Sequence, residues 1–261
     1  MLNMISSEFY RLRKSNIFWL LPLILAGIAV LLGVVLGTLP DGEMGMGGMG
    51  TMRPDNASGM LAFALPLNIS NILWLLIGFT IVFISSDFSA GIIRNSLSVG
   101  VSKVEYYISK FVMVLIMCAV YSVVVIAVTT LTYTMFEPWG TGINIGDFLA
   151  SVGLAYLILV AQAILFMAIA LITRSVGASI GIILGYVILD SIIGSAVGMF
   201  ELSTVVRTLA NIFPSPAGFY LFELSHGTAD LGDIMLVVMV ALGTIVISSL
   251  LAIMSLTKKD I

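Results

Sequence analysis

Charge is what this chain has least of. Only 10% of its 261 residues are charged while 60% are hydrophobic, and the mean hydropathy is +1.17. A chain of that composition cannot fold in water without exposing apolar surface. The single cysteine, Cys118, lies in an apolar run and excludes an internal disulfide. With one histidine, His226, there is no H-E-x-x-H pattern and no cluster of metal ligands. No G-x-x-x-x-G-K-S/T loop occurs, so the usual phosphate cradle for ATP is missing, and any ATP-powered work must borrow its engine. A formal net charge of -3, without a basic cluster interleaved with aromatics, argues against nucleic acid as a partner. The first apolar run is too long for a cleaved signal peptide and no small-residue cleavage site follows it, so the first span is expected to stay attached.

What is abundant is apolar length. Six runs, near residues 16 to 39, 60 to 85, 111 to 136, 148 to 172, 176 to 200 and 231 to 256, are each long enough to cross roughly 30 Å of hydrocarbon as a helix. The expected fold is an all-α integral membrane protein with six transmembrane helices. In the second run Pro66, Asn68, Ser70 and Asn71 make the outer third polar, as in a broken helix or one lining a cavity. Lysine and arginine sort by side: Arg11, Arg13, Lys14, Arg94, Lys103, Lys110, Arg174, Lys258 and Lys259 on one, Arg53 and Arg207 on the other. The positive-inside rule then places both termini in the cytoplasm.

The connections divide the chain further. Residues 1 to 15 carry Leu2, Ile5, Phe9 and Leu12 at helical spacing before Arg11, Arg13 and Lys14, as in an amphipathic helix lying along the headgroups. Residues 86 to 110 hold Asp87, Arg94, Lys103, Glu105 and Lys110 between two apolar runs, and are read as a cytoplasmic handle sitting in water. Within it, Ser102 and Glu105 form a capping-box signature that starts a new helix. Phe88, Ile92 and Leu97 give the handle a sticky side suited to docking on another protein. On the outer side, residues 40 to 59 are rich in Gly and Met. Met44, Met46, Met49 and Met52 offer thioethers to a soft cation such as Cu(I), but no His or Cys stands near them, and a flexible loop is the preferred reading. Residues 201 to 230 suggest a short amphipathic helix (Leu202, Val205, Val206, Leu209, Ile212), a corner at Pro214 and Pro216, and a second turn near Phe219 to Leu224. Such a pair either caps the outer mouth or dips into the membrane.

Two features inside the fifth run stand out. Gly177, Gly181 and Gly185, with Gly194 and Gly198 beyond, form a seam of bare backbone for a close helix neighbour, in this chain or in a second copy. Asp190 sits near the middle of the run, where an ionised carboxylate costs about 2.5 to 3.5 kcal/mol on insertion scales. It either serves a pathway, binding a cationic group or a proton, or is satisfied by Tyr186, Ser191 or a neighbouring helix. Gly177-Ala-Ser179-Ile-Gly181 formally matches G-x-S-x-G, but that motif has meaning at a strand-to-helix turn, not in a membrane helix. Ser179 near the inner end and His226 outside would lie on the order of 20 to 30 Å apart, so an enzyme is not expected.

These residues bring a family into view. Six spans, a basic amphipathic start, a charged inner loop after the second span, a very short inner loop before the fifth and short helices before the sixth resemble the ABC-2 type permeases over nearly the whole chain. Members typically show an acidic residue, Gly-Thr, a Leu-rich turn, Pro, a small or basic residue, then an aromatic leading to Lys. Here those places hold Asp87, Gly91 and Ile92, Leu97, Gly100 and Val101, Ser102 and Lys103, Tyr106 and Tyr107, and Lys110. Ile92 and the Gly100-Val101 pair depart from the pattern. The resemblance implies a single ABC-2 type transmembrane domain over 1–261: an interfacial helix at 1–15, a cytoplasmic coupling region at 86–110 and outer capping helices at 201–230. It implies two permease chains, alike or different, in a bacterial plasma membrane, with separate ATPase subunits that hold the ATP and Mg; no cofactor is expected on this chain. Coupling would fall to Asp87, Phe88, Arg94, Leu97, Ser98 and Arg174, and the Gly177, Gly181 and Gly185 seam would meet the second chain. The style is closest to bacitracin and lantibiotic self-protection exporters, with antimicrobial peptides or other amphipathic compounds as cargo. Two other classes compete: an ion- or proton-coupled carrier or channel using Asp190, and a membrane scaffold or sensor holding a cytoplasmic partner.

Overall fold

A chain in lipid has no water to satisfy its backbone, so helices that close their own hydrogen bonds are the economical solution. The computed structural model describes residues 2–38, 79, 81–89, 91–136, 145–199, 206, 209–214, 216–217 and 231–258, and no strand occurs among them. The elements are α1 (Leu2–Lys14), α2 (Asn16–Thr38), a π-helical turn (Ile81–Ser85), α3 (Ser86–Ser89), α4 (Ile92–Ser98), α5 (Lys103–Tyr133), α6 (Ile145–Thr173), α7 (Val176–Met199) and α8 (Leu231–Lys258). Five of these, α2, α5, α6, α7 and α8, are long and apolar enough to cross a membrane. The second apolar run is described only at Phe79 and from Ile81 onward, so its crossing lies outside the described residues, as do the Met44 to Met52 loop and Phe219 to Leu224.

Helix α6 is the hub. Its apolar window is 72% buried, against 17 to 33% for the other four. Ala155, Ala161, Ala163, Ala168 and Ala170 are all buried along it, and small residues of this kind let neighbouring backbones come close. Helix α2 runs beside α5, and the two are closest near Gly33. A Cβ at Gly33 would stand 2.6 Å from Thr132 Cγ2, so glycine is what permits that approach.

Four segments gather at one end of the bundle. Lys103 Nζ donates to Thr257 O at 3.5 Å, Arg174 Nη2 donates to Ser255 O at 3.0 Å, and Lys110 Nζ donates to Glu8 Oε2 at 2.9 Å. The amphipathic start, the α3–α4 handle, the α6–α7 turn and the end of α8 therefore share a side, which is how the sequence sorts its basic residues.

The handle is punctuated by backbone chemistry. Gly91 (φ 68) and Gly100 (φ 92) occupy the left-handed region on either side of α4, where glycine pays no Cβ penalty. The capping box then launches α5: Ser102 Oγ accepts from Glu105 N at 3.1 Å, and Ser102 N donates to Glu105 Oε2 at 3.1 Å. The tight α6–α7 turn is made without glycine, Arg174 itself adopting φ 54.

At the other end the outer segment is helical at Val206 and at Leu209 and Ala210, turns over Asn211 to Phe213, and is helical again at Pro214, Pro216 and Ala217. The corner therefore falls just ahead of the expected position, at Asn211 to Phe213, and Pro214 and Pro216 are themselves helical, as proline is tolerated in a first helical turn. Ile212 O accepts from Gln162 Nε2 at 2.8 Å and from Tyr186 OH at 3.0 Å, and the Phe213 ring stacks on Tyr186 at 4.9 Å. Gln162 and Tyr186 lie ten or eleven residues from the α6–α7 turn, about 16 Å along their helices and roughly half-way through the hydrocarbon. The outer segment thus packs against the middle of α6 and α7.

Gly33→Val should overpack the α2–α5 contact against Thr132, costing about 1–3 kcal/mol in thermal unfolding of the purified chain. An unchanged unfolding midpoint would contradict the contact.

Candidate functional site

The gathered end is built around a buried carboxylate. Phe83 and Asp87 lie one turn apart on the returning run, Glu8 and Arg11 one turn apart on α1, and Tyr106 and Lys110 one turn apart on α5. Asp87 Oδ1 accepts from Arg11 Nη2 at 2.7 Å; Oδ2 lies 2.6 Å from Lys110 Nζ and accepts from Tyr106 OH at 2.8 Å. Lys110 also reaches Glu8 Oε2, which stands 3.5 Å from Arg11 Nη2. The Phe83 ring lies under both cations, 4.7 Å from Arg11 Cζ and 4.2 Å from Lys110 Nζ. Its carbonyl accepts a further Arg11 bond at 3.2 Å.

Two acids and two bases cancel, which is why they tolerate such burial. Asp87 and Lys110 are 0% exposed and Glu8 4%, while Arg11 keeps 34% of its side chain accessible. An unpaired charge there would carry a desolvation penalty of several kcal/mol. The reading of 86 to 110 as a wholly aqueous handle therefore needs correcting: Asp87 and Lys110 leave water because α1 brings partners for both. The inward face of α1 differs accordingly. Leu12 is buried, Phe9 is 43% exposed, and Glu8 occupies the middle of the inward face.

The residues implied as coupling contacts are placed unequally. Asp87 has no surface to offer, since its bonds all lie within the chain. Phe88 packs against the core and carries the Arg174 guanidinium 5.7 Å above its ring, and Arg174 also binds the end of α8. Ser98 is exposed, as are Val99 and Gly100 after it, with Val99 at 84% the most open apolar side chain of the handle. Arg94 and Leu97 lie on α4, but their side chains fall outside the described residues. What seats α4 is Ile93, 2% exposed, a neighbour of the expected Ile92.

Ser179 is buried in a web of hydroxyls. It lies 3.2 Å from Ser85 Oγ and 2.7 Å from Thr173 Oγ1, and donates to Ser175 O at 2.7 Å. This ties the π-helical turn to the start of α7 and gives the G-x-S-x-G serine structural partners; His226 lies outside the described residues. Among the described residues no group of His, Cys, Asp or Glu could hold a metal ion.

Asp190 is 8% exposed and takes part in interactions of the folded chain. The hydroxyls thought to satisfy it point elsewhere: Ser191 Oγ donates to Val187 O at 3.1 Å, and Tyr186 OH donates to Gln162 Oε1 at 2.5 Å as well as to Ile212 O. Gly177, Gly181 and Gly185 all lie on exposed α7 surface, with no described atom within 4 Å of where a Cβ would stand. That seam is not filled from within the described part of the chain.

Sequence reasoning missed Glu8, Phe83 and Gln162 as site residues. Glu8 had a signal, an acid set between the apolar positions Ile5 and Leu12 of an amphipathic helix; Phe83 and Gln162 had none beyond residue type.

A bundle of helices long and apolar enough to cross a membrane defines a multi-pass membrane protein. Residues 4–190 match the family described as ABC-2 family transporter protein; this is well over half of the chain, which belongs to that family. No curated protein matches it. The matched stretch contains the whole charged cluster, and Asp87, Tyr106 and Lys110, the acid, the aromatic and the lysine of the family pattern, are the groups that meet there.

Lys110→Met alone should destabilise the chain by about 3–5 kcal/mol by leaving two buried carboxylates to share the single cation Arg11, measured by thermal unfolding in detergent. A shift below about 1 kcal/mol would mean that the cluster is solvated.

Proposed function

We propose that the chain is the permease subunit of an ABC exporter, moved by separate ATPase subunits that bind the ATP and Mg. The observation that carries this reading is the brace: Asp87 at the root of the handle is ion-paired to α1 and to α5, so force applied at the handle reaches two helices at once. Membership of the ABC-2 family implies ABC ATPase components as partners, and the missing phosphate cradle agrees with a chain that is not itself an enzyme.

In this mechanism the contact surface is the tip, Ser98 to Gly100, together with Arg94 and Leu97, while Asp87, Phe88 and Arg174 transmit force inside the chain. Closure of the ATPase pair draws the cytoplasmic handles of two permease chains together, and the attached helices tilt so that the path opens outward. The open Gly177, Gly181 and Gly185 face supports a second copy or a related permease as neighbour. Asp190 is the candidate pathway group for the cationic part of an amphipathic cargo, such as an antimicrobial peptide. The setting is a bacterial plasma membrane.

A carrier that titrates Asp190 is the second reading, favoured by that buried mid-membrane carboxylate. In liposomes it predicts cation-dependent transport by this chain alone, abolished by Asp190→Asn. The exporter reading predicts no uphill transport until the ATPase is added. Replacing Val99 with Asp, or Arg94 and Leu97 together with Ala, should then lower transport on the order of tenfold without reducing membrane insertion. Full ATP-driven transport in these variants would refute the docking role.

A further inference from the structure

Beside the charged cluster lies a half-open cavity of about 160 Å³, lined by Arg11, Ser15, Ile17, Phe79, Phe83, Asp87 and Ile92. Its composition changes with depth. Arg11 and Ser15 are its accessible polar groups; Asp87, Phe83 and Phe79, all buried, follow at one-turn spacing on one run, about 12 Å from end to end. Ile17, in the first turn of α2, and Ile92 of α4 close the sides. The neighbouring Trp19 is 64% exposed and donates its indole N–H to Arg13 O at 3.1 Å, a placement suited to the headgroup boundary. The slot therefore begins at the headgroups and runs into the hydrocarbon.

Its mouth has spare donors of one sign. Arg11 spends Nη2 on Asp87, Phe83 and Glu8, and no bond to another described residue is made through Nε or Nη1, while a third of the side chain stays accessible. Ser15 Oγ accepts from Ile17 N at 3.3 Å, which leaves its hydroxyl hydrogen to donate. The Asp87 carboxylate is already saturated by three donors, and the cluster behind it is neutral. Arg13 and Lys14 beside the mouth are exposed and no acid lies in that turn, so the local field favours an anion. With Nη2 engaged no fork remains, and Nε and Nη1 each offer a single charge-assisted hydrogen bond to an oxygen of a phosphodiester. An apolar cavity of roughly 150 Å³ holds a small hydrocarbon, enough for the upper part of one acyl chain.

We infer that this slot binds one anionic phospholipid of the adjacent leaflet, with its phosphodiester on the outer edge of Arg11 and on Ser15, and an acyl chain against Ile17, Phe83, Phe79 and Ile92. The bound lipid fills the gap between α1 and the root of the handle. The inference needs only the membrane setting and stands apart from ATPase coupling.

The test uses the full chain, purified and delipidated in neutral detergent, with lipid retention read by native mass spectrometry and by thermal shift. Three probes are titrated: phosphatidylglycerol, phosphatidylcholine with the same acyl chains, and glycerol phosphate. One phosphatidylglycerol should bind on the order of tenfold more tightly than phosphatidylcholine, and glycerol phosphate should have no effect. Ile92→Trp, which fills the slot without touching the charged cluster, and Arg11→Gln, which removes the cation at the slot, should each weaken phosphatidylglycerol by a similar factor. Should Ile92→Trp not fold, Ile17→Trp fills the slot from the other side. Equal binding of the two lipids, undiminished binding in the slot-filling variant, or a thermal shift from glycerol phosphate equal to that from the lipid would each overturn the proposal, the last by identifying a site for a free phosphate ester.

Discussion

The contact between Asp87 and Lys110 is the constraint on which the rest of this end depends. Neither side chain has access to water, and in a chain this poor in charge neither could be buried alone. Their pairing obliges α5 to pass beside the root of the handle, and the remaining oxygen of Asp87 and the remaining reach of Lys110 recruit Arg11 and Glu8 from α1. A helix suited by composition to float along the membrane is thereby fixed to the bundle. Phe83 completes the arrangement as an apolar floor that the two cations nevertheless favour through its π-face.

Much of the fold was legible because lipid enforces it. Apolar runs of a given length become helices with little freedom of choice, and the sorting of Lys and Arg agrees with the ends that the structure brings together. Gly91, Gly100 and the Ser102–Glu105 pair speak through local backbone chemistry, so α4 and the start of α5 could be read from the sequence. The site was legible only in part. Asp87 and Lys110 stood out as charges, but burial is a property of what packs on them, and nothing local to residues 86 to 110 reports that Glu8 and Arg11 come back from the first helix. The rotation of α1 that buries Glu8 and exposes Phe9 is a tertiary choice, made possible by the partners that Lys110 and Arg11 provide for Glu8.

The middle of the membrane shows the same logic with neutral groups. Gln162 and Tyr186 converge on one backbone carbonyl, that of Ile212, which a turn deep in hydrocarbon could not leave unsatisfied. Those bonds, with the stacking of Phe213 on Tyr186, seat the outer segment close to the stretch of α7 that carries Asp190. Asn211, 6% exposed, has no partner for its carboxamide among the described residues.

The most direct test of the brace is to weaken it without stranding a charge pair. In Arg11→Gln, Lys110 keeps both Asp87 and Glu8, but the ion pair between Asp87 and α1 is lost. With the permease and its ATPase reconstituted in liposomes, ATP hydrolysis and transport are measured in the same vesicles. Transport falling while hydrolysis persists is the predicted result; transport per ATP equal to that of the unaltered chain would contradict a handle that works through α1.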